Sequence, residues 1–222
     1  VITNTPKVLT DDVADLALGL MMSLSRRINE AHNFILKKKW SKKPFELTTS
    51  LTNKTVGIVG MGEIGKAFSK RVKSLSMKIV YFGPNKKNLK YKYFKNLKDM
   101  ASLIDVMVIT CIGGRETKDL INKNILKLMK PSSIIVNVSR GSVINEVHLL
   151  DALNKNSIGG AALDVFKMEP KINNKFLKLK NVLLSPHNGS ATFETREKMA
   201  NTSSQNLLNL LYLKKLKNRV QY

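Results

Sequence analysis

The sequence predicts a doubly wound α/β domain, in which helices cover both faces of a mostly parallel sheet. Short apolar runs rich in β-branched residues alternate along the chain with segments whose apolar residues recur at helical spacing. This alternation is typical of parallel strands joined by helical crossovers. A glycine-rich turn joins the first apolar run to the helical segment that follows it. Together these observations favour one large domain, which 222 residues are enough to form.

The predicted elements follow one another in a regular order. Strands are predicted at 54–59, 78–82, 106–111, 133–138, 160–163 and 182–185, with helices between them at 64–75, 97–103, 122–129 and 146–154. A helix at 11–27 precedes this series, because Thr10 suits a helix cap and Asp11 and Asp12 suit the first turn. We expect this helix to lie outside the sheet core. A basic connection follows at 37–44, and the last predicted helix spans 194–216.

The composition restricts the class of protein. The net charge is +22, but only seven of the 38 basic residues are arginine, the usual residue for bidentate contacts to phosphate and guanine. We therefore interpret the charge as a lysine-rich bias and expect no nucleic-acid partner; a nucleic acid or an anionic membrane is the alternative.

Cys111 is the only cysteine, which excludes an internal disulfide framework and favours a reducing compartment, the cytoplasm. We expect no membrane association, because the longest apolar stretch, 13–24, is too short to span a bilayer, and we expect no secretory signal at the start of the chain.

A phosphate-binding turn is predicted at residues 60–65. Gly60, Gly62 and Gly65 form the pattern G-x-G-x-x-G directly after a predicted strand and at the start of a helix, which is the context that the dinucleotide fingerprint requires. The first glycine allows a tight turn, the second lets the backbone approach a pyrophosphate, and the third lets helix and strand pack closely. Glu63 and Ile64 open the helix, whose free N–H groups would face the anion. The alternative is an incidental glycine turn.

The second predicted strand lacks the acidic residue that holds the ribose 2′-hydroxyl of NAD. No Asp or Glu occurs from Ile64 through Lys98, and Gly83 stands where that acid is expected. Asn85, Lys86 and Lys87 follow it. An absent carboxylate removes repulsion against a 2′-phosphate, and nearby cations attract it, so we predict NADP as the cofactor, with NAD as a second possibility. The alternative is drift of lysine in a variable loop.

Three titratable side chains follow predicted strands in the second half of the chain. Arg140, Glu169 and His187 all come shortly after the carboxyl end of a strand, the edge at which open parallel sheets bind ligands. Reduction of a ketone generates an alkoxide that needs a proton, which an imidazolium can supply. A carboxylate orients such a histidine, and a guanidinium can polarise the carbonyl and bind a substrate carboxylate. Taken singly, each residue could instead be structural.

The motifs together identify a family. The chain resembles the D-isomer-specific 2-hydroxyacid dehydrogenases, and most of all the plant-type glyoxylate/hydroxypyruvate reductases, in the identity, order and spacing of four motifs. These are the glycine turn at 60–65, Asn-Val-Ser-Arg-Gly at 137–141, Leu-Asp-Val-Phe-x-x-Glu-Pro at 163–170 and Ser-Pro-His at 185–187. The opening segment, from Thr3 through Arg27, is similar to the family's inter-domain helix.

The resemblance implies a Rossmann fold and a role for each matched residue. Arg140 would bind the substrate, Glu169 would support the histidine, and His187 would donate the proton. Asp164 would hold the nicotinamide carboxamide, and Ile112 and Ser139 would also contact the cofactor. The resemblance further implies a small 2-oxo acid as substrate and a homodimer, and it implies no metal.

The chain also departs from the family pattern. Pro84 replaces an arginine that is usual in NADP-using relatives, and Gly113-Gly114 replaces a loop that often contains proline. The family's separate substrate domain, which supplies a loop for the substrate carboxylate, is largely missing. We therefore expect residues 1–192 to form the dinucleotide-binding domain with its inter-domain helix, and 193–222 to form a helix whose leucines return to that missing domain. The alternative is a truncated, non-catalytic dinucleotide-binding module, like the corepressors that share this fold or a degenerate gene product.

Overall fold

The computed structural model describes residues 1–212, 216 and 218–220. Its strands are β1 (Thr55–Val59), β2 (Lys78–Phe82), β3 (Lys92–Phe94), β4 (Val106–Ile109), β5 (Ile134–Asn137), β6 (Gly160–Leu163) and β7 (Val182–Leu184). They form one sheet in the order β3-β2-β1-β4-β5-β6-β7, and every neighbouring pair is parallel. The predicted doubly wound parallel sheet is therefore confirmed.

The helices agree with the prediction in number along the sheet but differ at both ends of the chain. They are α1 (Thr10–Ser25), α2 (Ile28–Leu36), α3 (Glu63–Lys73), α4 (Leu97–Ala101), α5 (Lys123–Leu126), α6 (Glu146–Asn154) and α7 (Phe193–Leu211). The predicted helix at 11–27 is interrupted, because Arg27 adopts a left-handed φ of 50° and α2 starts after it. The prediction that Thr10 caps this helix is wrong, because Thr10 is itself helical and its side chain makes no cap hydrogen bond. The last helix ends at Leu211, before the predicted Leu216, and residues 213–215 of that prediction lie outside the described residues.

Strand β3 and helix α2 were not predicted from the sequence. Strand β3 is only three residues long and lies in a lysine-rich run, so its apolar signal is weak. It adds to the sheet through parallel pairing of Tyr93 with Tyr81 of β2. Helix α2 follows α1 after a break of two residues and has no buried residue within the described structure, so it forms outside both apolar clusters.

Two buried clusters of apolar side chains cover the two faces of the sheet. One joins α1 and α3 to residues of the central strands, including Ile58, Val108 and Val136. The other packs α4, α5 and α6 against the opposite face. The expectation that the first helix lies outside the sheet core is wrong, since Ala14, Ala17 and Met21 of α1 are fully buried in the first cluster.

From β1 the sheet continues outward to β2 and β3 on one side, and from β4 it continues to β5, β6 and β7 on the other. The connections that follow β1 and β4 therefore cross opposite faces of the sheet. Such an arrangement opens a crevice at the carboxyl edge of the sheet, where ligands of this fold class bind. The glycine turn after β1 lies at this point. No helix in the described part of the chain is long and apolar enough to cross a membrane.

Candidate active site

The turn at 60–65 has the backbone geometry that its glycines require. Gly60 adopts a φ of +100°, and a Cβ there would lie 2.5 Å from the backbone nitrogen of Cys111. A Cβ at Gly65 would collide with the carbonyl oxygen of Gly60, which also accepts a hydrogen bond from Thr110 Oγ1 at 2.7 Å. A Cβ at Gly62 would meet no atom within 4 Å. Gly60 and Gly65 are thus needed for packing, whereas Gly62 leaves open space at the start of α3.

A cavity of about 660 Å³ extends from this turn toward the end of β2. Its volume is within the usual range for cofactor sites. Five residues predicted to contact the cofactor line it, namely Gly60, Gly62, Gly83, Asn85 and Ile112. Six others do not line it in the described structure, namely Glu63, Ile64, Gly65, Lys86, Ser139 and Asp164. The open space at Gly62 and the N-terminus of α3 fit a dinucleotide, whose pyrophosphate the free N–H groups of the helix would bind.

The predicted acid–base residues meet at the carboxyl edge. His187 Nδ1 lies 2.6 Å from Glu169 Oε2, and Glu169 Oε1 accepts a hydrogen bond from the backbone N–H of Phe166 at 2.8 Å. The second ring nitrogen of His187, Nε2, has no hydrogen-bond partner within the described residues. The imidazole is 46% exposed, so this nitrogen is accessible to a reactant.

The electrostatics of the pair favour an ionised carboxylate. Partial burial raises the pKa of Glu169, but the hydrogen bonds from His187 and from the N–H of Phe166 outweigh it, and the pKa lies below its ordinary value. The positive charge of Arg140 contributes in the same direction. An ionised Glu169 can only accept, so Nδ1 of His187 carries the proton that forms this hydrogen bond. The carboxylate therefore orients the ring and fixes which of its two nitrogens faces Glu169.

Asp164 fixes the loop that carries His187. Its side chain is 1% exposed, and its two oxygens accept hydrogen bonds from Ser185 Oγ at 2.6 Å and from the backbone N–H groups of Asn188 at 2.7 Å and Gly189 at 2.9 Å. The N–H of His187, which adopts a left-handed φ of 54°, donates to the carbonyl oxygen of Asp164 at 2.9 Å. These contacts hold the histidine in an unusual backbone conformation. A contact between Asp164 and a nicotinamide stays a prediction.

Arg140 is positioned by two glycines and by its own turn. Nη1 of Arg140 donates to the carbonyl oxygen of Ser139 at 2.7 Å. A Cβ at Gly113 would lie 2.5 Å from Arg140 Cγ, and a Cβ at Gly141 would collide with the backbone of Phe166. The arginine therefore packs directly over Gly113, and the turn that follows it packs on the segment that leads to Glu169.

Sequence reasoning missed several residues that support the site. Gly113 was noted only as a departure from the family, and Thr110, Ser185 and Asn188 were given no role. Tyr81 and Tyr93 were also missed; their hydroxyl groups bind the loop after β2. The contacts of Gly113, Thr110, Ser185 and Asn188 join residues distant along the chain, and those of the two tyrosines join a strand to the loop beside it, so no local pattern reveals them. Among the described residues, no group of three or more His, Cys, Asp or Glu side chains could hold a metal ion.

The fold and the site together define a dinucleotide-binding domain that carries a histidine–carboxylate pair at the carboxyl edge of its sheet. The sequence profile of the D-isomer specific 2-hydroxyacid dehydrogenase NAD binding domain matches residues 18–189. The chain belongs to this family, as its motifs predicted.

Characterised relatives and solved structures agree with this assignment. The chain is 42% identical over 207 residues to a hydroxyphenylpyruvate reductase of Plectranthus scutellarioides and 40% identical over 207 residues to a glyoxylate/hydroxypyruvate reductase of Arabidopsis thaliana. Each alignment covers 93% of this chain and 66% of the relative, so the chain spans about two thirds of their length. An NADPH-dependent glyoxylate/hydroxypyruvate reductase from Sinorhizobium meliloti, solved with NADP and malonate, superposes with a TM-score of 0.95 at 34% identity, covering 99% of this chain and 70% of that one.

Proposed function

We propose that this chain is the cofactor-binding and proton-donating part of an NADPH-dependent reductase of small 2-oxo acids such as glyoxylate or hydroxypyruvate. The observation that carries the proposal is the 2.6 Å contact between His187 and Glu169, which leaves Nε2 of the histidine exposed at the edge of the sheet. The relatives at about 40% identity that are named as reductases of 2-oxo acids support it.

The mechanism assigns one task to each of three residues. When bound, a reduced nicotinamide supplies a hydride to the carbonyl carbon of the substrate. His187 then gives the proton on Nε2 to the oxygen, which becomes the hydroxyl group of the product. Glu169 accepts the hydrogen bond from Nδ1 and holds the ring in its orientation for the transfer. Arg140 binds the substrate carboxylate and polarises its carbonyl group.

NADPH is the proposed cofactor because the end of β2 lacks a carboxylate. Gly83 lines the cavity where an acid would bind the ribose 2′-hydroxyl of NADH, and Lys87 lines it beside Asn85. A homologous structure with bound NADP supports this preference. We also propose that the protein forms a homodimer, which the family resemblance implies, and that it acts in the cytoplasm, which its single cysteine favours.

The test joins this chain to the remaining third of the Arabidopsis relative and follows NADPH oxidation with glyoxylate and hydroxypyruvate. Replacing His187 with alanine should lower kcat about 10²–10⁴-fold, the usual effect of losing a general acid, with the Kd of NADPH unchanged. The matched control is His32→Ala, since His32 lies exposed on α2, away from the carboxyl edge.

The same experiment separates the alternative function. A non-catalytic dinucleotide-binding module would bind NADPH but would reduce neither 2-oxo acid, even in the joined protein. Equal turnover by the wild-type and His187→Ala proteins would contradict the role of the histidine while leaving cofactor binding intact.

A further inference from the structure

The loop after β2 presents two adjacent lysines, and the structure distinguishes them. Both are exposed, but Lys87 lines the cofactor cavity together with Gly83 and Asn85, whereas Lys86 does not. The carbonyl oxygen of Lys87 accepts a hydrogen bond from the N–H of Leu89 at 2.8 Å. Within the described structure, Lys86 makes no hydrogen bond or ion pair.

A buried tyrosine fixes the backbone of Lys87. The hydroxyl group of Tyr81 accepts a hydrogen bond from the N–H of Lys87 at 2.8 Å and donates one to its carbonyl oxygen at 3.2 Å. The side chain of Tyr81 is fully buried in the sheet, so its hydroxyl group is a rigid support. One hydroxyl group thus binds both the backbone N–H and the carbonyl oxygen of Lys87. These two contacts fix the position of its Cα, from which the side chain extends.

A second tyrosine holds the beginning of the loop. Tyr93 is the register partner of Tyr81 on β3, and the two ring centroids are 5.3 Å apart. The hydroxyl group of Tyr93 donates to the carbonyl oxygen of Gly83 at 3.0 Å. Hydroxyl groups from two neighbouring strands therefore bind the two ends of the loop. These contacts restrict the backbone conformations open to the segment between Gly83 and Lys87.

We propose that Lys87 is the residue that selects a 2′-phosphate in this chain, and that Tyr81 and Tyr93 are positioning residues that hold it at the ribose end of the cavity. The inference rests on the proposed NADPH-dependent function. It also explains how Pro84 can stand where relatives have an arginine, because a clamped lysine three residues further on supplies the positive charge. Preorganisation lowers the entropic cost of using a flexible lysine for this contact.

The test measures the Kd of NADPH and NADH by cofactor fluorescence on the full chain, with 2′,5′-ADP and 5′-AMP as calorimetric probes of the phosphate contact alone. Lys87→Ala should weaken NADPH and 2′,5′-ADP about tenfold, as expected for one charge-assisted contact, and should reduce the salt dependence of their binding. NADH and 5′-AMP should bind as before. Lys86→Ala is the matched control and should leave the preference unchanged.

The positioning role is tested by removing hydroxyl groups. Tyr81→Phe should lower the ratio of NADH to NADPH dissociation constants about threefold or more, since one neutral hydrogen-bond anchor is lost. Tyr93→Phe should act in the same direction, and Tyr91→Phe is the control, because no hydrogen bond of Tyr91 is found among the described residues. In a Lys87→Ala background, Tyr81→Phe should no longer change the ratio. A purely structural role would instead weaken both cofactors equally in either background.

The outcomes separate this inference from the proposed function. If the wild-type chain binds neither cofactor, or binds NADH as tightly as NADPH, the proposed cofactor preference fails and the role of Lys87 fails with it. If NADPH is preferred but Lys87→Ala keeps that preference, only the assignment of Lys87 is wrong. Arg115 also lines the cavity, so a loss of preference in Arg115→Ala but not in Lys87→Ala would assign the phosphate contact to the arginine.

Discussion

Replacing Gly113 with alanine should move Arg140 out of its working position. The new Cβ would lie 2.5 Å from Arg140 Cγ and 2.9 Å from Arg140 Cβ. Carbon atoms in contact are separated by about 3.5 Å or more, so the Cγ must retreat by about 1 Å. These atoms lie near the backbone, where the side chain cannot simply swing aside. Misplacement of a catalytic group by about 1 Å can cost about 10²-fold in rate, and we expect a loss of that order in kcat/KM.

The assay is NADPH oxidation by the joined protein described above, with glyoxylate as the varied substrate. The adjacent Gly114→Ala is a matched control, because a Cβ at Gly114 meets no atom within 4 Å. Gly113 and Gly114 both line the cofactor cavity, so the Kd of NADPH is measured for both variants and kcat/KM is compared at saturating NADPH. If Gly113→Ala and Gly114→Ala have the same kcat/KM, the packing of Arg140 on Gly113 has no functional consequence and the steric argument is refuted.

Three further predictions concern the ribose end, the acid–base pair and its loop. Gly83→Asp should reverse the cofactor preference toward NADH, since open space surrounds the position of its Cβ and a carboxylate there repels a 2′-phosphate; a dissociation-constant ratio still favouring NADPH would contradict this. The pKa of Glu169 is lowered from 4.5, so its ionised form stabilises the folded chain above that pH, and this contribution is lost as the pH falls below it. Glu169→Gln should therefore lose less Tm than wild type between neutral pH and about pH 3.5, and parallel Tm profiles would refute the linkage. Asp164→Ala removes three hydrogen bonds to the loop of His187 and should lower both Tm and kcat; an unchanged Tm would argue against the anchoring role.

The sequence predicted the architecture because its signals are local. Apolar runs, helical spacing and the glycine turn each depend on residues close together in the chain. They therefore predict the sequence of strands and helices along the chain. Strand β3, by contrast, consists of Lys92, Tyr93 and Phe94 and exists only because β2 offers it an unpaired edge. The break at Arg27 likewise depends on its contacts, since its guanidinium binds Glu30 and Glu46 on either side of a basic connection.

The sequence led to a set of candidate site residues but not to the contacts that support them. Arg140, Glu169 and His187 were predicted because each follows a strand in a recognisable motif, and the structure brings Glu169 and His187 into contact. The preference for Lys87 over Lys86 was not found, because it depends on the hydroxyl group of Tyr81 reaching the loop from inside the sheet. Adjacent lysines are equivalent in a sequence and become different only when one backbone is clamped.

The segment from Phe166 to Glu169 links the three residues that carry the proposed chemistry. The N–H of Phe166 donates to Glu169, and Glu169 in turn binds His187. On the other side, Gly141 lies so close to the backbone of Phe166 that no side chain fits between them, and Gly141 directly follows Arg140. Arg140 and His187 therefore share one physical support, although they come from different strands. Because packed segments shift as units, a displacement of this support would change the distance between Arg140 and His187, and close backbone packing around Gly141 and Phe166 opposes such a displacement.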